Sequence, residues 1–250
     1  MTIITDPWFY AVAIPAVLLT GLSKSGFATG IGTLSVPLMA LAISVPQAAA
    51  VMMPLLLLAD LMGLRMFRHD FDKNLLRFML PFGLLGVVIG TLTFKFFSPQ
   101  VVAGCVGVFT LLFLAQQLLF PPSSASKPQP RWLGALFITT SGFTSFIAHA
   151  GGPPMNAYAL PLRLKPLVFS ATMAYFYFAI NLSKWIPYAY LGLLDWRNFW
   201  TALLLMPVAG FGVWLGKRLA MRMSPKMFYR LIYFGMLLSG SKLLWDAFKG

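Results

Sequence analysis

Residues 101–120 read VVAGCVGVFTLLFLAQQLLF, a run without a single charge. A helix rises about 1.5 Å per residue, so this run is long enough to cross the ~30 Å hydrocarbon core of a bilayer. Strands of a membrane barrel would instead alternate over about ten residues. Further apolar runs occupy 8–43, 47–67, 75–94, 132–162, 167–191, 199–215 and 227–248. The composition fits. Charged residues make up 10% of the chain, against about 25% in soluble domains, and mean hydropathy is +0.79. So little charge cannot cover a surface that faces water. In lipid the backbone must satisfy its own hydrogen bonds, which leaves helices. The expected fold class is an all-α, multi-pass membrane protein.

Two smaller features fit that class. Residues 1–7 carry Asp6 and no Lys or Arg, so the basic start of a signal peptide is missing and the first apolar segment is expected to be retained. The single cysteine, Cys105, lies within an apolar run. It excludes an internal disulfide or a cysteine-cluster metal site, and is expected to be a small packing residue. The formal net charge of +13 does not call for nucleic acid. The basic residues sit in short loops between apolar runs, as the positive-inside rule requires.

The chain repeats itself. Ser25-Gly26-Phe27, Ile31, Pro37 and Met39 recur at the same spacing as Ser141-Gly142-Phe143, Ile147, Pro153 and Met155. Pro81, Gly86, Val87, Gly90 and Ser98-Pro99 recur as Pro207, Gly212, Val213, Gly216 and Ser224-Pro225. Glycine and proline punctuate the backbone, so matching them predicts matching breaks and helix contacts. The two offsets differ, which predicts an insertion between Met155 and Pro207. The proline-rich segment 121–131 reads as a linker between a first transmembrane repeat, 1–120, and a second, 132–250. Equivalent loops carry opposite charge bias. The loop after 47–67 holds Arg65, Arg68, His69, Lys73 and Arg77 against Asp70 and Asp72, while its counterpart holds one Arg197 and one Asp195. Conversely, Lys95 stands alone where the second half has Lys217, Arg218, Arg222 and Lys226. Matching loops then face opposite sides, which predicts two inverted-topology repeats. Each would be a broken or re-entrant helical hairpin (8–43 and 132–162) plus three transmembrane helices, with both termini outside.

Inverted repeats with interrupted helices are a transporter plan, with substrate near the bilayer midplane. Freed backbone groups are tolerated there only if they line a cavity or are buried in protein. Gly26, Gly30 and Gly32 in the first hairpin, and Gly142, Gly151 and Gly152 in the second, are candidates for such breaks. Helix starts and free N–H groups favour anions. Ser23, Ser25, Thr33, Ser141 and Ser145 would add hydroxyls. Lys24 is either a cation at a cavity or a residue that snorkels from a hairpin turn. Lys184 either meets substrate or pairs with Asp60. His149 is either a titrating group or a hydrogen-bonded structural one. The glycines Gly86, Gly90, Gly212 and Gly216 read as helix-packing residues, and similar small-residue faces would allow a homodimer. Lys242 reads as a polar contact between helices, and Tyr175 and Tyr177 as packing or interface aromatics.

No zinc-protease, P-loop or paired-histidine motif is present. The sequence therefore gives no sign of an enzyme, a cofactor or a metal, and no ATP-binding loop to drive transport.

The stretches GLSKSGFATGIGTLSVPLM (21–39) and SGFTSFIAHAGGPPMNAY (141–158), with the duplicated Pro-x4-Gly-x3-Gly-x7-Ser-Pro pattern, resemble the TauE/SafE family of anion exporters. The likeness runs from about Gly21 to Phe248. It implies export of sulfite, an organosulfonate such as sulfoacetate, or a related small anion. The expected function is a secondary carrier in the cell inner membrane, with the bilayer and a small anion as partners and no nucleic acid. An uptake carrier for another anion and a non-transporting membrane accessory protein are the alternatives.

Overall fold

The computed structural model describes residues 3–25, 31–67, 70–94, 96, 98–119, 130–192 and 194–249. The helices in chain order are α1 (Pro7–Lys24), α2 (Ser35–Met39), α3 (Val45–Met66), α4 (Lys73–Thr93), α5 (Pro99–Leu119), α6 (Arg131–Ala148), α7 (Gly152–Ala159), α8 (Pro166–Tyr190), α9 (Trp196–Arg222) and α10 (Pro225–Lys249). Short 3-10 turns, Ile31–Leu34 and Leu160–Leu162, precede α2 and follow α7. No strand occurs among the described residues.

The repeated punctuation marks helix starts. Ser98 and Ser224 accept from the amides of Val101 and Met227. Each thus satisfies an otherwise orphaned N–H, with a proline next in sequence, where its missing N–H costs nothing. Asp72 does the same for Asn74 and Leu75 at the start of α4. The runs 8–43 and 132–162 each contain a break. Most of the linker 121–131 lies outside the described residues, and its last residue, Arg131, opens α6.

Among the described residues, four helices are long and apolar enough to cross a bilayer: Gln47–Met66, Lys73–Thr93, Pro166–Tyr190 and Trp196–Leu219. Their outer faces are apolar as well. Leu84, Leu85, Val88 and Leu92 on α4, and Leu203, Leu204, Phe211 and Trp214 on α9, are exposed. Continuous apolar stripes of this kind belong against lipid rather than water. Cys105, expected as a small packing residue, is exposed on α5. A lipid-facing helix surface accepts a small apolar thiol as readily as the interior does.

Helix contacts come in exchanged pairs. α1 packs on α9 as α6 packs on α4; α3 packs on α9 as α8 packs on α4; α3 meets α8 and α5 meets α10. Glycines let the backbones approach. A Cβ on Gly86 would lie 2.1 Å from Thr139 O and 3.0 Å from Gly142 Cα. One on Gly212 would lie 2.8 Å from Leu18 O and 3.1 Å from Gly21 Cα. Gly142 is therefore packed as Gly21 is, although the sequence matches it to Gly26. That match puts Ser141-Gly142 within α6, whereas Ser25 already caps the end of α1. Gly86, Gly90, Gly212 and Gly216 all make their close contacts within the chain.

α3 and α8 run antiparallel. Phe67, after the end of α3, packs on Ala171 and Ala174 near the start of α8. At the other end, Gln47 of α3 donates to Asn198 of α9. Lys242 does not bridge helices as expected; it pairs with Asp246 one turn along α10, because i and i+4 positions share a helix face.

Candidate functional site

Described residues flanking both helix breaks line one cavity. In the second half, α6 ends at His149, which adopts a left-handed conformation (φ 50), uncommon for a side chain other than glycine. Hydroxyls absorb the backbone groups freed by the turn. Thr144 donates to Ala150 O (3.1 Å) and Ser141 to Gly151 O (2.7 Å). Gly151 must lack a side chain, since a Cβ there would lie 2.7 Å from both Ser141 O and Ser145 Cβ. In the first half, Thr20 donates to Ser35 (2.6 Å), and Ser35 to Ala16 O (2.7 Å), tying α2 back to α1. Gly32 allows the same close approach: a Cβ would lie 2.9 Å from Ser23 Oγ.

The cavity measures about 90 Å³. On this measure a water needs roughly 10–15 Å³, so a small oxyanion with a few waters fits. Thr20, Ser23, Lys24 and Gly32 line it from the first hairpin, and Ser145, His149, Gly151, Gly152 and Asn156 from the second. Ser170, Tyr177 and Asn181 of α8 close one wall, and Met52, Leu56 and Met173 supply apolar surface. The α7 helix starts here. Its second and third residues are Pro153 and Pro154, which have no N–H, so Gly151 and Gly152 carry the amides at that end.

A buried polar chain runs behind the cavity wall. Lys24 Nζ lies 2.7 Å from Asp60 Oδ1, with the lysine side chain 15% exposed and the aspartate 0%. The lysine therefore reaches the cavity and the carboxylate does not. The two groups form a close, largely buried ion pair. Asn181 donates to Asp60 Oδ2 at 2.6 Å and accepts from Lys184 Nζ at 3.1 Å. Lys184 also donates to Ser145 O and Ser145 Oγ, both at 2.7 Å. Charge buried so deeply needs pairing and hydrogen bonds throughout. Lys24 also sits over the Tyr177 ring, 4.8 Å from its centroid, where a cation is attracted to the aromatic face. Tyr188 donates to Phe146 O (2.9 Å) and meets His149 Nε2 at 3.2 Å. With its proton committed to Phe146, Tyr188 is the acceptor, which places a hydrogen on His149 Nε2.

The two halves supply cations from different positions. Gly63 of α3 lies against Lys24 O, and Lys184 of α8 against Ser145 O. The lysine thus stands on the first broken helix in one half and on the following long helix in the other.

Of the residues singled out by sequence, Ser23, Lys24, Gly32, Ser145, His149, Gly151 and Gly152 surround the cavity. Four others sit elsewhere. Ser25 turns back to Leu22 O (2.7 Å), because it ends a helix with unpaired carbonyls. Ser141 ties the second break. Gly142 is a packing residue against α4, where a Cβ would lie 2.0 Å from Gly83 O. Lys184 is fully buried behind Ser145, and Asp60 pairs with Lys24 rather than with it. Thr33 lies in the 3-10 turn Ile31–Leu34, its side chain outside those described, and Gly26 and Gly30 fall outside the described residues. Tyr177, read as packing, and Thr20, Asn156 and Ser170 join the lining. Only the helix pairing brings them there; a serine or threonine in an apolar helix carries no mark of its facing. No cluster of side chains suited to a metal ion occurs among the described residues.

The chain matches the family model described as Sulfite exporter TauE/SafE over residues 13–243. Comparison with curated proteins gives no match, and neither does comparison with solved structures. The matched region begins inside α1 and ends inside α10, so it takes in both helix breaks and the whole cavity between them. On that extent, the chain belongs to the sulfite exporter TauE/SafE family.

Proposed function

We propose that this protein is a secondary carrier in the cell inner membrane for a small sulfur-containing anion, sulfite or an organosulfonate such as sulfoacetate. The observation that carries the reading is the meeting of both helix breaks at one cavity, with Lys24 exposed to it and Lys184 close behind. A lysine at bilayer depth costs about 2.5–3.5 kcal/mol on insertion scales, so two near one cavity suit an anionic ligand. Ser23, Ser145 and the amides of Gly151 and Gly152 would hold oxygens, and the start of α7 adds its positive end. Outward direction rests on the family description alone. The exchanged helix contacts and the antiparallel course of α3 and α8 support two inverted repeats, which would rock about the cavity to alternate access. Efflux of sulfite from proteoliposomes tests the reading. Saturable efflux that sulfonates inhibit and acetate does not supports it. Absence of flux with any sulfur anion favours the non-transporting accessory protein.

A further inference from the structure

Building on the anion-carrier reading, we infer that the two bodies which rock about the cavity exchange one helix between the repeats. One body is α1, α2, α3 and α9, the other α4, α6, α7 and α8, and α3 slides on α8. The apolar interior divides in this way. Phe9, Val36, Met39, Leu55, Ala202 and Leu205, drawn from α1, α2, α3 and α9, share one core. Met79, Ile138, Phe146, Met155, Phe169 and Phe176, drawn from α4, α6, α7 and α8, share another. Among the described residues, Met53 is the α3 residue that joins the second core. The pair α5 and α10 also buries side chains there. Through α5 it touches α6 and α7, and through α10 the Ile31–Leu34 turn, so it braces both bodies.

Inside each body the helices are locked. A Cβ on Gly21 of α1 would lie 2.6 Å from Ala209 O of α9, and one on Gly86 of α4 would lie 2.7 Å from Phe143 N of α6. Hydrogen bonds tie the remaining members. Gln47 of α3 donates to Asn198 of α9 (3.2 Å), and the Asp72 amide before α4 donates to Thr172 of α8 (3.0 Å). The contact between α3 and α8 is of another kind. A Cβ on Gly63 would lie 3.5 Å from Ala174 Cβ, an ordinary van der Waals distance, and Phe67 rests on Ala171. Asn181 donates to Asp60 across this seam at 2.6 Å, and Lys24 crosses it to the Tyr177 ring. Both contacts join side chain to side chain. Such a surface slides by the small shifts of a shear motion, whereas helices whose backbones interlock move as one. The cavity lies along the seam, with Leu56 of α3 and Met173 and Asn181 of α8 in its wall.

The experiment uses paired cysteines in a Cys105→Ser background, joined by dibromobimane, whose thioether links sulfite does not cleave and whose fluorescence reports the link. Gly63→Cys with Ala174→Cys, and Phe67→Cys with Ala171→Cys, bridge the seam. Gln47→Cys with Asn198→Cys bridges α3 to α9 inside one body. Every pair ties a residue of 1–120 to one of 132–250, so motion of the intact repeats would be stopped by all three. Sulfite efflux from proteoliposomes is compared for each pair before and after linking. Ala174 borders the cavity, whereas Phe67 and Ala171 do not line it, so the second seam pair separates arrest from blockage. Each seam link is expected to lower efflux at least about tenfold, and the Gln47–Asn198 link by less than about twofold. Efflux that survives either seam link overturns the inference. So does loss of efflux with the Gln47–Asn198 link, and both results leave the carrier reading intact. Absence of efflux from wild-type protein removes the carrier reading itself.

Discussion

Lys24 stands at the point where the buried polar chain reaches the cavity. Its ammonium pairs with Asp60 Oδ1 at 2.7 Å and carries three N–H groups, so it keeps donors for a ligand. Charge-assisted hydrogen bonds contribute about 1.5–3 kcal/mol. Lys24→Gln is accordingly expected to weaken sulfite or sulfonate binding by roughly 10–100-fold in isothermal titration; unchanged affinity would remove the lysine from the site. Asn181 has a different task. Asn181→Leu leaves Asp60 Oδ2 and one Lys184 donor without partners, at about 1–3 kcal/mol for each unsatisfied group. A lower melting temperature in detergent is expected, and an unaltered melt would mean that the chain of bonds contributes no stability. Lys24 was legible in the sequence because a charge between apolar segments is rare. The sequence put Asp60 and Lys184 forward as a pair, but not Asn181 as the link between them or Lys24 as the partner of Asp60, because these residues lie on α1, α3 and α8 and meet only once those helices pack. Ser141 and Ser145 make the same point. They are one helical turn apart on α6, yet one ties the break and the other faces the cavity.

At the level of elements, the long helices follow directly from apolar runs closed by capping residues. Ser98, Ser224 and Asp72 mark three starts with a side-chain oxygen. The helix breaks were legible as glycine and proline clusters, but their register was not. Ser25 caps the end of α1 whereas its match, Ser141, sits inside α6, because hydroxyl bonds from Ser141 and Thr144 hold the second break further along the chain. Glycines differ in the same way. Gly142 has a carbonyl where a side chain would go, whereas a Cβ on Gly210 would meet only the Met62 side chain, at 3.7 Å from its sulfur. Gly142→Val is expected to cost at least about 1–3 kcal/mol through overpacking. Gly210→Ala is expected to stay within about 0.5–1 kcal/mol, with helix propensity in its favour. Thermal unfolding followed by size-exclusion chromatography compares the two; equal losses would contradict the tight α4–α6 contact.

For the whole molecule, the charge bias of the loops and the course of the helices point the same way. The starts of α4 and α8 carry Lys73 and Lys165, both exposed, and the start of α9 follows exposed Asp195. In a Cys105→Ser background, Lys73→Cys and Lys165→Cys are expected to react with an impermeant maleimide from one face of the membrane and Asp195→Cys from the other. Labelling of all three from one face would contradict the inverted arrangement. That arrangement would also explain why one cavity draws on both halves, since two antiparallel hairpins meeting back to back would bring their breaks together.

The most direct measurement is sulfite efflux from proteoliposomes containing wild-type protein or Lys24→Gln, at matched protein content and confirmed folding. A small anion that passes through the cavity between the hairpins should leave wild-type vesicles with saturable kinetics, and the variant should lose at least about nine-tenths of that rate at low sulfite. Equal efflux from both would contradict passage of the anion past Lys24.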